Sequence, residues 1–542
     1  MLEQLNIASE HLSIALERYI HVCLGVRESY TRENTFPKIT YQHSRQMDTE
    51  LATIASYDTQ LQRAKLAISQ VRNFSLDLVP VHSLPPELVT RIFQFALAPE
   101  PHEPDWSQDP KGVGFPQSPD YLAQVCSRWR QIAFASPSLW SHLNFALHMS
   151  RYQGHLPRAL SYVARASQLP LRLYISEPCE IKQRNPSVFE FIGSIASRVL
   201  ALEYHSGGIE CLAPVLRSLL SNSRAGTLTK LVTNSTSGHL NSFLLTAETW
   251  TALDDNGLDN MSPCLDISDE QLEAIFAPLT ILHLRAIFPR WGSAAYHNLV
   301  DLRLTSAFRY SWSSIREANL VSVLKASPGL RILHFALGIK HRSTEIVAVP
   351  LADLEVLNIK TVCTYAKHLE VGSILRLIAP GRRPLRLTIE NAVYEEGPSM
   401  DETVQFFERS NITRFCAKEG YPPVKRLLPR TLNLEELVFS SCKLTWRANI
   451  DLSNDQYRAS QSPEPAPFSW YIRESQVDLD DILVFYNDYH PRSLALANCD
   501  VYDAEYEEPL TEDELWEFSQ SACFRSYEGL SPDPTANWDI LD

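Results

Sequence analysis

Nucleophiles, metal ligands and phosphate cradles are the residue sets whose types could do chemistry in this 542-residue chain, and none falls in a working pattern. Cysteines stand singly at 23, 126, 179, 211, 264, 363, 416, 442, 499 and 523, so no pair has the Cys-x-x-Cys spacing of a zinc or redox site. They read as small buried hydrophobes in a reducing compartment. The 16 histidines share no ligand spacing with them, and the chain holds no His-Glu-x-x-His, no Gly-x-Ser-x-Gly and no Gly-rich loop followed by Lys. "GVGF" at Gly112 sits among prolines with no strand before it and reads as a turn. "DLDD" from Asp478 to Asp481 opens a helix, where negative charge offsets the positive N-terminal dipole. No catalytic group, metal or cofactor is expected, which leaves binding as the chemistry to look for.

Charge narrows the partners. Lysine and arginine total 49 against 64 acids, a formal charge of −15, which disfavours nonspecific attraction to nucleic acid or anionic membrane. The local basic residues Arg382, Arg383, Lys418, Lys425, Arg426 and Arg430 lack the interleaved aromatics of a base-stacking surface and read as solvated. The opening "MLEQLNIASEH" has no basic region, and no run of about 18 apolar residues occurs, so neither secretion nor a membrane span is expected. A cytoplasmic or nuclear protein follows, in which the Asn-x-Ser/Thr triplets at Asn73, Asn234 and Asn411 stay unmodified. With 44% hydrophobic residues the chain should fold, as two to four units or one elongated array.

Residues 1–45 carry a helical stripe of Leu5, Leu12, Leu16, Tyr19 and Cys23 to about Val26. Residues 46–79 carry a second helix, about Met47 to Phe74, with Ile54, Leu61 and Ile68 every seventh residue. The companion seam Leu51, Asp58, Lys65 holds two charges, so a hairpin with the first helix is favoured over a coiled-coil dimer arm.

Residues 80–145 form the next unit. "LPPELVTRIFQFAL" places Pro85 and Pro86 at a first helical turn, with Leu88, Ile92 and Phe95 on one side and Phe93 and Leu97 beside them. Six prolines between Pro99 and Pro119 exclude continuing helix across the insertion at 98–119. Leu122, Val125, Cys126, Trp129, Ile132 and Ala133 then recur at the spacing of one more helix, and "SPSLWSHL" reads as a short third helix capped by Ser136.

From 165 to 505 the pattern changes. Ten short Leu-rich pieces recur, among them "LPLRLYIS", "LTILHLRA", "LVDLRLTS", "LEVLNIKT" and "SLALANCD"; most approximate Leu-x-x-Leu-x-Leu, and they start about 20 to 31 residues apart where no insertion intervenes. Helices are expected between them, two with Ser capping boxes at Ser268 and Ser399. The repeats are interrupted by an insertion at Thr246 to Ser268 and a break from Cys442 to Asp478. Residues 506–542 are an acidic cap or tail, with Thr511 and Glu514 as a further capping box.

The stretches "LPPELVTRIF", "VCSRW" from Val125 and "SPSLW" from Ser136 resemble the F-box. The loop of about twenty residues after Leu97 is longer than the compact motif, and with the preceding helix it is similar to the large F-box families of mushroom-forming fungi. The resemblance implies an α/β chain: N-terminal helices plus an F-box three-helix motif, followed by an irregular leucine-rich-repeat-like α/β solenoid. It further implies docking to a Skp-family adaptor, and through it to cullin and RING subunits, by Leu84, Pro85, Leu88, Ile92, Phe93, Val125, Cys126, Trp129, Leu139 and Trp140. Three short helices cannot alone bury so many large apolar side chains, which agrees with an interface. Each residue could also be core, most of all Cys126 and then Trp140. The function implied is a non-catalytic substrate receptor of an SCF-type ubiquitin ligase; the alternative is a leucine-rich-repeat scaffold with no part in ubiquitination.

In such proteins the repeats hold a target protein. Residues flanking the buried leucines would point from the concave face: His283, Arg285, Arg303, Thr305, His334, Asn358 and Lys360, with Val438 and Ser440. Several are basic, so acidic or phosphorylated targets are expected there.

Overall fold

The computed structural model describes residues 2–31, 40–73, 80–97, 119–145, 149–177, 186–206, 212–235, 242–252, 264–285, 287–306, 313–343, 347–361, 363–364, 367–368, 370–392, 394, 397–442, 468–502, 509–510, 524–527 and 533–539. The Pro-rich stretch 98–118 and the capping box at Thr511 and Glu514 lie outside them. The chain divides into two compact units, Met1–Ile92 with Leu122–Ile132, and Phe93–Tyr121 with Ala133–Asp542.

In the first unit, helices α1 (Leu2–Thr31) and α2 (Tyr41–Asn73) run longer than their apolar stripes, because no Pro or Gly-rich segment interrupts the flanking polar residues. Tyr19 donates a 3.0 Å hydrogen bond to Glu50 Oε2, joining the two helices as a hairpin would. The stripes themselves are not covered: Leu5, Leu12, Ile54, Leu61 and Ile68 are all exposed.

Helix α3 (Pro86–Ala96) begins at the second proline of the pair, as the missing amide donors allow. The helix expected from Leu122 to Ala133 is instead two, α4 (Pro119–Val125) and α5 (Ser127–Phe134). The break falls at Cys126, whose Sγ accepts the amide of Trp129 at 3.4 Å and so caps α5 in the manner of a serine. α4 starts at Pro119, the last proline of the insertion, where a proline at the first helical position is tolerated. "PSLW" is a single 3-10 turn, Pro137–Trp140, and the Ser136 side chain makes no capping bond to it.

The second unit is built on one parallel sheet of fourteen strands whose order in space is their order in the chain. They are β1 (His142–Phe145), β2 (Leu171–Glu177), β3 (Val199–Ser206), β4 (Lys230–Ser235), β5 (Ile281–Arg285), β6 (Asp301–Thr305) and β7 (Ile332–Ala336), then β8 (Val356–Lys360), β9 (Leu385–Glu390), β10 (Ile412–Lys418), β11 (Glu436–Ser440), β12 (Ser469–Arg473), β13 (Ser493–Ala497) and β14 (Phe524–Tyr527). The ladder therefore extends beyond the repeats expected at 165–505. β12 lies inside the expected break, and β10 was hidden because Ile412, Phe415 and Ala417 stand where the pattern asks for leucines.

Period-two alternation puts one row of each strand inside. Leu282 and Leu284 of β5, Leu302 and Leu304 of β6 and Leu387 and Ile389 of β9 are buried, while their neighbours, apart from the buried Asp301, are half-exposed. Crossover helices bury their own apolar faces: Leu212, Val215, Leu216, Leu219 and Leu220 in α6 (Leu212–Leu220), and Leu320, Val323 and Leu324 in α7 (Glu317–Ala326). Ser268 caps its helix by accepting the Gln271 amide at 3.1 Å. Ser399 does not cap: the helix starts at Pro398 with Gly397 before it, and the Ser399 hydroxyl accepts the Gly372 amide instead. Asp478 caps Leu479–Tyr489 through the Asp480 amide.

A repeat unseen in the leucine spacing closes the strands. Asn391, Glu419, Ser441, Glu474 and Asn498 directly follow β9 to β13, and each adopts a left-handed backbone with φ between 49° and 59°. The first four donate their amides to Lys418, Ser440, Arg473 and Ala497, the last residue of the next strand. The position after them holds only small residues, Ala392, Gly420, Cys442, Ser475 and Cys499, because the turns stack closely there; a Cβ on Gly420 would stand 2.8 Å from the Ala392 carbonyl oxygen. Cys442 and Cys499 thiols donate to strand-end carbonyls. Burial pushes the Cys416 and Cys442 thiols up to about 12, as inert core groups. Cys23 is exposed on α1, against the expectation for cysteines as a class. Among the described residues, no helix is long and apolar enough to cross a membrane.

Candidate functional site

Two surfaces concern the residues singled out above. On α3, Leu88, Ile92 and Phe95 occupy positions i, i+4 and i+7 and are 52, 46 and 67% exposed, while Val89 and Phe93, on the opposite side, are buried. Amides of Leu88 and Val89 both bond the Pro85 carbonyl, so the double proline starts the helix and sets that stripe. Pro85 is exposed and Leu84 half-buried, its carbonyl accepting from Arg128 of α5 at 3.0 Å. Val125 is 58% exposed; Cys126 and Trp129 are half-buried.

Three of the ten docking residues are core instead. Phe93, Leu139 and Trp140 are fully buried. Trp140 donates its indole N–H to the Ala133 carbonyl at 2.7 Å and meets the Tyr162 ring edge-on at 5.0 Å, with the Arg165 guanidinium 4.3 Å from its centroid. Asp120 holds that cluster, accepting from the Tyr162 hydroxyl at 2.6 Å and from Arg158 at 3.1 Å. A Trp this well partnered on both face and edge is part of the core and cannot itself be offered to a partner.

The second surface is the half-exposed face of the sheet. His283, Arg303, His334 and Asn358 fall in a single register row across β5 to β8, which Thr388, Cys416, Val438 and Tyr471 continue to β12. Arg285 and Thr305 lie opposite each other one pleat further along, and Lys360 stands two residues beyond Asn358. The row is together as expected, but it is not a field of free bases. Asp301, on the same face of β6, lies 2.9 Å from His283 Nε2 and accepts from Arg303 Nε at 3.1 Å. Arg285 donates to Asn234, and Lys360 pairs with Glu390.

Electrostatics follow from these pairs. Burial holds the His283 imidazole below its usual value, against the pull of Asp301. Burial would raise the Asp301 carboxyl, but hydrogen bonding and charge from His283 and Arg303 outweigh it and leave the group at about 2. A carboxyl lowered in the folded state stabilises above its unfolded value near 4 and loses that contribution as pH falls toward 2. Asp301→Asn is therefore expected to cost roughly 2 kcal/mol at neutral pH. The gap between variant and parent urea midpoints should close as pH falls from 5 toward 2; a gap independent of pH across that window would contradict the pairing.

Sequence reasoning missed what lies on this face. Residues 533–539 fold onto it as a turn, with Trp538 buried against Cys416, Val438 and Tyr471, and Arg414 6.0 Å from its ring. Asp539 accepts from Asn358 at 2.8 Å and lies 3.4 Å from His334 Nε2 and 3.6 Å from Arg303 Nη1. Arg386 donates to the Trp538 carbonyl, and Asp533 pairs with Arg473. "DPTAN" is legible as a turn, since Asp533 accepts from both the amide and the hydroxyl of Thr535. That it returns to strands more than a hundred residues earlier is not.

Among the described residues, no group of three or more His, Cys, Asp or Glu side chains could hold a metal ion. Fold and surfaces define an α/β protein with a large parallel sheet, one face of which carries its own C-terminal segment. No family model matches the chain, and no curated protein matches it.

Proposed function

We propose that the chain is a substrate-recognition subunit of an SCF-type cullin-RING ubiquitin ligase, with the F-box-like helices docking a Skp-family adaptor and the sheet face holding a target protein. The observation that carries this reading is the exposed stripe Leu88, Ile92 and Phe95 on the helix that follows "LPP". Three large apolar side chains on one face of an eleven-residue helix are where a partner is expected. Docking is assigned to Leu84, Pro85, Leu88, Ile92, Val125, Cys126 and Trp129; Phe93, Leu139 and Trp140 act from the core. The strict chain order of the sheet and the recurring left-handed residue after β9 to β13 support a leucine-rich-repeat-like solenoid. In this role the chain makes and breaks no bond, and works by raising the local concentration of its target beside the transferring enzyme, in the cytoplasm or nucleus.

Reconstitution tests the ligase assignment. Mixed with purified adaptor, cullin and RING subunits, the chain should hold the cullin in one complex by size-exclusion chromatography, and only when the adaptor is present. Adaptor bound with cullin left behind would make the protein a scaffold outside ubiquitin transfer.

A further inference from the structure

The face between β6 and β12 is a built site with an occupant. Its floor is apolar at Cys416 and Val438, its rim carries Arg303, Arg386 and Arg473, and each of these features is matched by residues 533–539. The segment presents an aromatic side chain to the apolar floor and a carboxylate to Asn358, His334 and Arg303. We infer that this face is a peptide-binding surface for acidic segments bearing an aromatic residue followed by an acid, and that the chain's own Trp538 and Asp539 fill it in cis until a target displaces them. The inference rests on the substrate-receptor reading and names its target class.

Two observations favour a displaceable occupant over a permanent part of the core. The indole N–H of Trp538 is buried with no hydrogen-bond partner among the described residues, a desolvation cost that a phenylalanine or leucine in the same place would not carry. Two of the segment's anchors, Asp533 and Asp539, are also partly open to solvent, so water competes for their ion pairs. A tethered segment acts at an effective concentration of roughly 1 mM, so one whose own intrinsic affinity is only roughly 0.1 mM still weakens a competitor by about tenfold.

The test uses the full chain and a fluorescent peptide of sequence PDPTANWDILD, read by anisotropy. The full-length variant Trp538→Ala/Asp539→Asn should bind the peptide at least tenfold tighter than the intact chain, and adding Asn358→Leu to that variant should remove the gain. Equal binding by intact chain and variant, or a gain indifferent to Asn358→Leu, would overturn the inference. Should the double variant unfold, amide hydrogen exchange on the intact chain decides: exchange at 533–539 faster than in β6 to β12 supports displacement, and protection equal to those strands overturns it. Adaptor binding is measured in the same samples. A folded Trp538→Ala/Asp539→Asn variant that binds adaptor but no peptide sinks this inference alone, whereas failure to bind adaptor sinks the receptor reading and leaves the peptide site standing.

Discussion

Replacing Arg376 with methionine is expected to destabilise the sheet-bearing unit by about 3–5 kcal/mol, because it strands a buried carboxylate. Glu317, the first residue of α7, is completely buried; one oxygen pairs with Arg376 and the other accepts the Ser343 amide at 2.7 Å. Arg376 also donates to the Ser343 carbonyl at 3.0 Å, so the pair fastens an irregular connection onto the helix start. With the guanidinium gone, the carboxylate has lost its countercharge and cannot reach water. The double variant Glu317→Leu/Arg376→Met removes both charges and should recover much of the loss, since a buried pair contributes little net stability while either half alone costs a great deal. Urea midpoints of the three proteins check this. A single variant as stable as the parent would show that the pair is dispensable.

The second large effect concerns α3. Leu88→Asp with Ile92→Asp should weaken binding to a Skp-family adaptor at least a hundredfold, since a loss of roughly 3 kcal/mol over two central apolar contacts corresponds to that factor. Both side chains are half open to solvent in the chain as it stands, so unfolding midpoints should hardly move. Phe93→Ala should behave in the opposite way, losing roughly 3–5 kcal/mol of stability because a buried ring leaves a cavity. The contrast between residues one position apart separates docking from packing. Similar behaviour of the two variants in both assays would show that α3 has no separate docking face.

Much of this architecture is legible from residue order. Strands β5 to β9 are announced by leucines at alternate positions, and the start of α3 by its prolines. β10 and β12 escaped because burial accepts any large apolar side chain: Phe415, Trp470 and Ile472 satisfy the sheet as leucine would. Cys126 ended a helix that its apolar spacing continued, because a thiol can cap where only hydroxyl and carboxamide groups are looked for. The Asp301 to Arg303 pair was readable, since residues two apart on a strand share a face, and counting bases without their neighbours made the row look more basic than it is. The contact of Asp539 with Asn358 spans 181 residues and carries no local signal at all.

Titrating the purified intact chain with a Skp-family adaptor by calorimetry, with the Leu88→Asp/Ile92→Asp variant beside it and circular dichroism on both, tests docking through α3. A one-to-one complex is expected with the intact chain, and no heat with a variant that is still folded. An intact, folded chain that binds no adaptor would contradict it, and would leave α3 to α5 as the helical start of a repeat protein whose partner is met only at the sheet.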